Sequence, residues 1–206
     1  MPDFIALAST GVAFFIVAVS PGPATLSNAT IAMNHGRRAS LIYGLGLSVG
    51  LVFWGLIAAS GLGAVLHGSL WVLPALKILG GAYLLWLALQ SGRSAMRPAT
   101  RKQLSVRGHS WFLRGLALNL SNPKSVIAWI AALSVGLGQE ADTASIIAVT
   151  SICIAVGFAT NALYSLLFSI RGMMCAYARA RRVIDSIVAG LFAVAGFGLI
   201  RSAFAR

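Results

Sequence analysis

The chain has 206 residues, of which 58% are hydrophobic and 10% charged. Counting the 22 glycines raises the apolar share to about 69%, against about 45–50% in ordinary soluble domains. That composition excludes a disordered chain, a coiled coil and a soluble globule, all of which need more polar surface. The net charge of +12, from 16 Lys and Arg against 4 Asp and Glu, invites a nucleic-acid reading. The positions of the cations decide between that reading and membrane topology.

Met1-Pro2-Asp3 lacks the positive start of a signal peptide, and no small-residue cleavage site ends the first apolar run. That run therefore reads as a permanent span. About 20 apolar residues at 1.5 Å each cross a hydrocarbon core of about 30 Å. On this rule the sequence predicts an all-α polytopic membrane protein of six spans, forming a single membrane domain over residues 1–206. In chain order they are roughly Phe4–Met33, Ala39–Leu66, Val72–Gln90, Trp111–Val135, Ala144–Ile170 and Ser186–Phe204. The first is longer than one straight crossing requires, so it must tilt, bend or re-enter.

The connections alternate in charge. The first carries Arg37 and Arg38, the third carries Arg93, Arg97, Arg101, Lys102 and Arg107, and the fifth carries Arg171, Arg179, Arg181 and Arg182. The second, His67–Trp71, has no Lys or Arg, and the fourth, Gly136–Thr143, has only Glu140 and Asp142. Strict alternation is the mark of the positive-inside rule, which places the three basic loops in the cytoplasm and both termini outside. Arg201 and Arg206 near the C-terminus run against that placement. No base-stacking aromatic interrupts the long basic loop, so the sequence implies no nucleic-acid partner; lipid head groups are the natural contact.

Residues 1–90 hold three spans, 91–110 a basic loop, and 111–206 three more spans. An odd number of spans per half gives the halves opposite orientation, the inverted-repeat plan of many secondary transporters. The first span of each half contains proline in its interior: Ser20-Pro21-Gly22-Pro23 and Ser121-Asn122-Pro123. Proline removes a backbone donor and clashes with the carbonyl four residues back, costing about 3 kcal/mol or more. In hydrocarbon, freed backbone groups are tolerated only where protein, water or a ligand satisfies them, so both breaks should line a cavity. Each also starts a half-helix, with Pro23 or Pro123 in its first turn and Asn122 as a cap. Exposed N–H groups and a positive dipole end suit an anion such as a carboxylate. Kinks needed only for packing are the plainer reading of either break alone.

Lys124 follows Pro123 directly, where a lysine costs about 2.5–3.5 kcal/mol near mid-membrane and lies at the wrong end of a helix dipole. It is expected to meet the carboxylate of a substrate or an acidic partner during transport; a lysine that snorkels to the interface, or is neutral in the folded protein, is the structural alternative.

These residues resemble the LysE/RhtB family of bacterial amino-acid exporters, over essentially the whole chain. The resemblance rests on Ser20-Pro21-Gly22-Pro23, His35-Gly36-Arg37-Arg38 and Asn122-Pro123-Lys124 in order. It rests also on Leu76-Lys77 with Gly80-Gly81-Ala82-Tyr83-Leu84, and on Phe112-Leu113-Arg114-Gly115 leading into Asn119. It implies proton-driven efflux of an amino acid or close relative from a bacterial cytoplasmic membrane. The absence of a second buried carboxylate candidate besides Asp185 favours a neutral substrate.

Asp185, beside Arg181 and Arg182 at the expected start of the sixth span, reads either as a helix-start carboxylate or as a proton-coupling group. Pro21, Gly22, Pro23, Asn28, Asn119, Asn122, Pro123 and Lys124 are the candidate substrate-binding residues. Asn161, with Thr160 and Tyr164, reads as interhelical packing, and Lys77 as a snorkelling lysine. The Gly46/Gly50 pair matches a GxxxG at chance frequency. No metal spacing exists among His35, His67 and His109, and no cofactor is implied. A homo-oligomer is possible. The runner-up is a membrane thiol-redox carrier, which needs a cysteine beside each break; Cys153 and Cys175 stand far from both. A membrane enzyme would need a clustered constellation that is missing.

Overall fold

The protein is described by a computed structural model covering residues 4–66, 72–96, 110–136 and 143–204. Within those residues every regular element is a helix: α1 (Phe4–Val19), α2 (Pro23–Leu66), α3 (Val72–Met96), α4 (Trp111–Leu120), α5 (Pro123–Gly136), α6 (Thr143–Leu167) and α7 (Met173–Phe204). Arg97, Arg101, Lys102, Arg107, His67, His109, Glu140 and Asp142 lie outside the described residues.

Both expected breaks are present. Ser20-Pro21-Gly22 separates α1 from α2, and Ser121-Asn122 separates α4 from α5. Pro23 and Pro123 are the first residues of their helices, where a missing N–H costs no hydrogen bond. Helix α2 is itself bent back at Gly36, whose φ of 83° and ψ of 172° no side chain accepts cheaply. It therefore consists of a short arm from Pro23 to the turn and a long helix beyond it. A second positive φ, 86° at Gly172, turns the chain between α6 and α7.

Pro23–Ser60, Thr143–Leu167 and Cys175–Phe204 are long and apolar enough to cross a membrane. The broken spans resolve into shorter pieces of 16 residues in α1, 10 in α4 and 14 in α5. Helix α3, at 25 residues, reaches beyond the expected end at Gln90. The largest boundary correction is α7, which starts at Met173 rather than Ser186 and, at 32 residues, is about 48 Å long. Arg179, Arg181 and Arg182 thus lie on a helix and not in a loop, because hydropathy marks where a helix is apolar, not where it begins. Asp185 is consequently an interior residue of α7, and the helix-start account of it does not hold.

The core gathers around Trp129 of α5, which is fully buried. Its ring lies 5.2 Å from that of Phe14 in α1, and its indole N–H donates to the carbonyl of Leu51 in α2 at 2.9 Å. Leu84, Leu87, Val149, Cys153 and Phe192 complete the cluster from α3, α6 and α7. On the outside, Val12, Leu56, Leu79, Leu89, Val194 and Phe197 are each more than half exposed, an apolar surface suited to lipid.

Helix α3 packs on α7, α2 on α4 and α6, and α1 on α5 and α6. The α2–α4 seam is made by small residues. A methyl group on Gly46 would strike the carbonyl oxygen of Phe112, and one on Gly115 the carbonyl oxygen of Tyr43. Gly50 gives the same clearance to Asn119, whose Cβ lies 2.8 Å from where a Cβ would stand. The GxxxG pair of Gly46 and Gly50 is therefore an intramolecular seam that lets two backbones approach closely. Gly115→Leu is expected to lower stability by about 1–3 kcal/mol through overpacking, read as a fall in the thermal unfolding midpoint in detergent. An equally large substitution at Gly190, which has open space around it, should leave that midpoint nearly unchanged.

Candidate functional site

The two breaks meet. The Lys124 ammonium of the second break donates to the Ser20 carbonyl of the first at 2.9 Å and also to the Ser20 hydroxyl. Lys124 thus carries its charge away from its own helix N-terminus to the C-terminal end of α1, where the dipole favours a cation. The residue that conflicts with its local setting agrees with the tertiary one.

Other groups complete the first break. Tyr164 of α6 donates its hydroxyl to the Val19 carbonyl at 2.7 Å, and Ser20 Oγ donates to the Val17 carbonyl at 2.8 Å. The Gly22 N–H donates to Thr25 Oγ1 at 2.9 Å, a third-position side chain reaching back to the helix cap. In the second break, Asn122 caps α5 as expected, its Oδ1 accepting from the Lys124 N–H at 3.1 Å. Backbone bonds from Ser121 and Asn122 to the Ala117 and Asn119 carbonyls close the end of α4. At the first break two freed carbonyls, of Val19 and Ser20, are met from the opposite half of the chain, while the second break is closed by its own half.

Between the breaks lies a cavity of about 60 Å³. One water needs about 10–15 Å³ on this measure, so it holds a few waters. Ligand sites for drug-sized molecules run to about 300 Å³ and more. One part of the wall is polar, with Gly22, Thr25, Asn119, Asn122, Lys124 and Ser125; another is apolar, with Phe14, Val17, Leu51 and Ala128. Helix α6 closes the side with Gly157, Thr160 and Asn161. Asn119 is 5% exposed, and its Oδ1 is buried without a hydrogen-bond partner.

Of the expected site residues, Gly22, Asn119, Asn122 and Lys124 line this cavity. Pro21, Pro23 and Pro123 shape the breaks. Asn28 does not line it. Its side chain is fully buried, donating to the Asn161 carbonyl at 3.0 Å and to Ser165 Oγ at 3.2 Å, and accepting from Ser40 at 2.7 Å. An amide with both ends engaged holds the arm of α2, the long part of α2 and α6 together. Asn161, read from sequence as packing, both lines the cavity and donates to Ser48 at 2.9 Å. Thr25, Ser125, Leu51 and Gly157 carried no sequence signal as lining residues, since each is an ordinary residue on an apolar helix.

Away from the cavity, Asp185 is 1% exposed. Its Oδ2 lies 3.4 Å from Arg181 Nε without hydrogen-bond geometry, while Arg181 Nη2 donates to Ser94 Oγ of α3 at 2.8 Å. Lys77 reaches the Ser202 carbonyl near the end of α7 at 3.5 Å, a second lysine at a helix C-terminus. Cys153 is buried, Cys175 is exposed, both are free, and neither lines the cavity. His35 packs against the Trp111 ring at 4.8 Å. No cluster of His, Cys, Asp or Glu able to hold a metal occurs among the described residues.

A bundle of apolar helices, two of them interrupted where they cross a polar cavity, defines a polytopic membrane protein built around broken helices. The profile of the LysE type translocator family matches residues 15–203, and the chain belongs to that family. It is 30% identical to a threonine efflux protein of Escherichia coli (strain K12) over 190 residues, 89% of this chain and 91% of the relative. It is 36% identical to a homoserine/homoserine lactone efflux protein of Salmonella typhimurium over 120 residues, 57% of each chain. An uncharacterized membrane protein of Escherichia coli (strain K12) is 30% identical over 191 residues, 91% of this chain and 85% of the relative. No solved structure matches.

Removing the Tyr164 hydroxyl in Tyr164→Phe leaves the Val19 carbonyl without that donor. Such interhelical bonds in membranes average about 0.6 kcal/mol and reach about 1.7. A loss within that range is expected in detergent unfolding, with Tyr164→Leu costing more because the stacking on Phe168, 5.4 Å away, goes too.

Proposed function

We propose that the protein exports a small neutral amino acid across the bacterial cytoplasmic membrane as a proton-coupled secondary transporter. The observation that carries this reading is the polar cavity where the two helix breaks meet, with the Lys124 ammonium in its wall. Membership of a translocator family and likeness to threonine and homoserine efflux proteins support the amino-acid class. Among the described residues no Asp or Glu lines the cavity, so a cationic side chain would find no counter-charge from them. The substrate carboxylate takes the Lys124 ammonium, assisted by N–H groups at the start of α2 and α5.

The packing also supports two inverted three-helix repeats in one membrane domain. The pairing of α2 with α4 has its counterpart in that of α6 with α1, and α3 packs on its own counterpart, α7. The basic loops face the cytoplasm and both termini face outward in this reading. Asp185, the buried carboxylate of α7 beside Arg181, binds and releases the coupled proton. Its bond-free oxygen gives the proton a place, and Arg181 compensates the charge when the proton leaves.

Proteoliposomes preloaded with a panel of labelled amino acids test the function directly. Efflux of small neutral amino acids should exceed that from empty liposomes, and a pH gradient should accelerate it. If no amino acid moves faster than the liposome leak, the exporter reading fails. Lys124→Ala is expected to cut that efflux about 100-fold or more, with Lys124→Arg recovering only part of it because the guanidinium is broader. Asp185→Asn should abolish the acceleration by the pH gradient while leaving exchange of labelled for unlabelled substrate at symmetric pH.

A further inference from the structure

The cavity has two chemically different ends, and their separation follows from helix geometry. Lys124 and Ser20 mark one level of the bundle. Phe14 lies six residues before Ser20 on α1, and Ala128 four residues after Lys124 on α5, which at 1.5 Å per residue places both about 6–9 Å away. Trp129 fixes this second level, touching Phe14 and donating to the Leu51 carbonyl. Gly157 belongs there too, because its nearest neighbour is the side chain of Leu51. The head-group end is thus polar, and the far end is apolar, closed by Phe14, Leu51, Ala128 and the bare backbone of Gly157.

We infer that the Gly157–Leu51 contact is the gauge that sets which substrate side chains the transporter accepts. The inference rests on the proposed amino-acid export. With the carboxylate at Lys124, the substrate side chain extends toward the apolar end of the cavity, where Leu51 stands with Phe14, Val17 and Ala128. A methyl group on Gly157 would collide with Leu51 Cδ2, and no other group approaches it comparably. That atom is the tip of a flexible side chain whose own backbone is tied to Trp129, so the side chain yields and the backbone does not. The open space beside it is the cavity. An alanine at 157 therefore keeps the fold and shortens the side-chain end, whereas trimming Leu51 lengthens it.

The test measures efflux of glycine, alanine, threonine and leucine from proteoliposomes by the unaltered protein, Gly157→Ala and Leu51→Ala, each checked for its unfolding midpoint. One methylene in an apolar pocket is worth about 10-fold or more in selectivity. Gly157→Ala should therefore lower the threonine-to-glycine ratio about 10-fold, and Leu51→Ala should raise the leucine-to-threonine ratio by a similar factor. Uniform loss across the panel in both variants, or unchanged ratios, would overturn the gauge while leaving the export function standing. Absence of efflux in the unaltered protein would instead remove the export reading and the gauge with it. Should Gly157→Ala not fold, Leu51→Ala decides alone through the direction of its ratio.

Discussion

The hydrogen bond from Lys124 to the Ser20 carbonyl is the contact on which the rest of the architecture depends. Two prolines around a glycine end α1 and leave carbonyls without helical partners. Each such group costs several kcal/mol in hydrocarbon unless another group meets it. Lys124 and Tyr164 meet two of them from α5 and α6. The same bond gives Lys124 the negative end of a helix dipole, so two local penalties cancel against each other. The first half of the chain does not hold its satisfied break by itself.

This arrangement also explains why a cavity persists there. Backbone that has left the helix cannot pack as closely as a helix face, and the caps come from side chains that span the gap. The seam of Gly46, Gly50 and Gly115 brings α2 and α4 together and positions Asn119. The network around Asn28 holds the folded-back arm of α2 against α6. Rigid surroundings of this kind present a small polar chamber with defined walls.

The breaks were legible in the sequence because proline has a strong local effect that needs no partner to be recognised. So was the cap at Asn122, which acts within two residues. Partners across the fold were not legible: nothing near Lys124 announces Ser20, and nothing near Asn28 distinguishes a network amide from a cavity amide. The Gly46/Gly50 pair was indistinguishable from chance because a seam is defined by what approaches it. The start of α7 was missed for a different reason. Arg179, Arg181 and Arg182 end the apolar pattern but not the helix, and only hydrogen bonding reveals the difference. Gly157 and Leu51 gain their meaning from neighbours that the sequence does not show.

The caps on α1 have a consequence for synthesis. Ser20 and Lys124 are 104 residues apart in the chain, and Val19 and Tyr164 are 145 apart. A ribosome delivers the broken end of α1 to the membrane long before either cap exists. The capping of those carbonyls therefore waits for α5 and α6. Contacts of such long sequence separation make assembly slow and late. A chain ending after α3 would lack both donors to the end of α1.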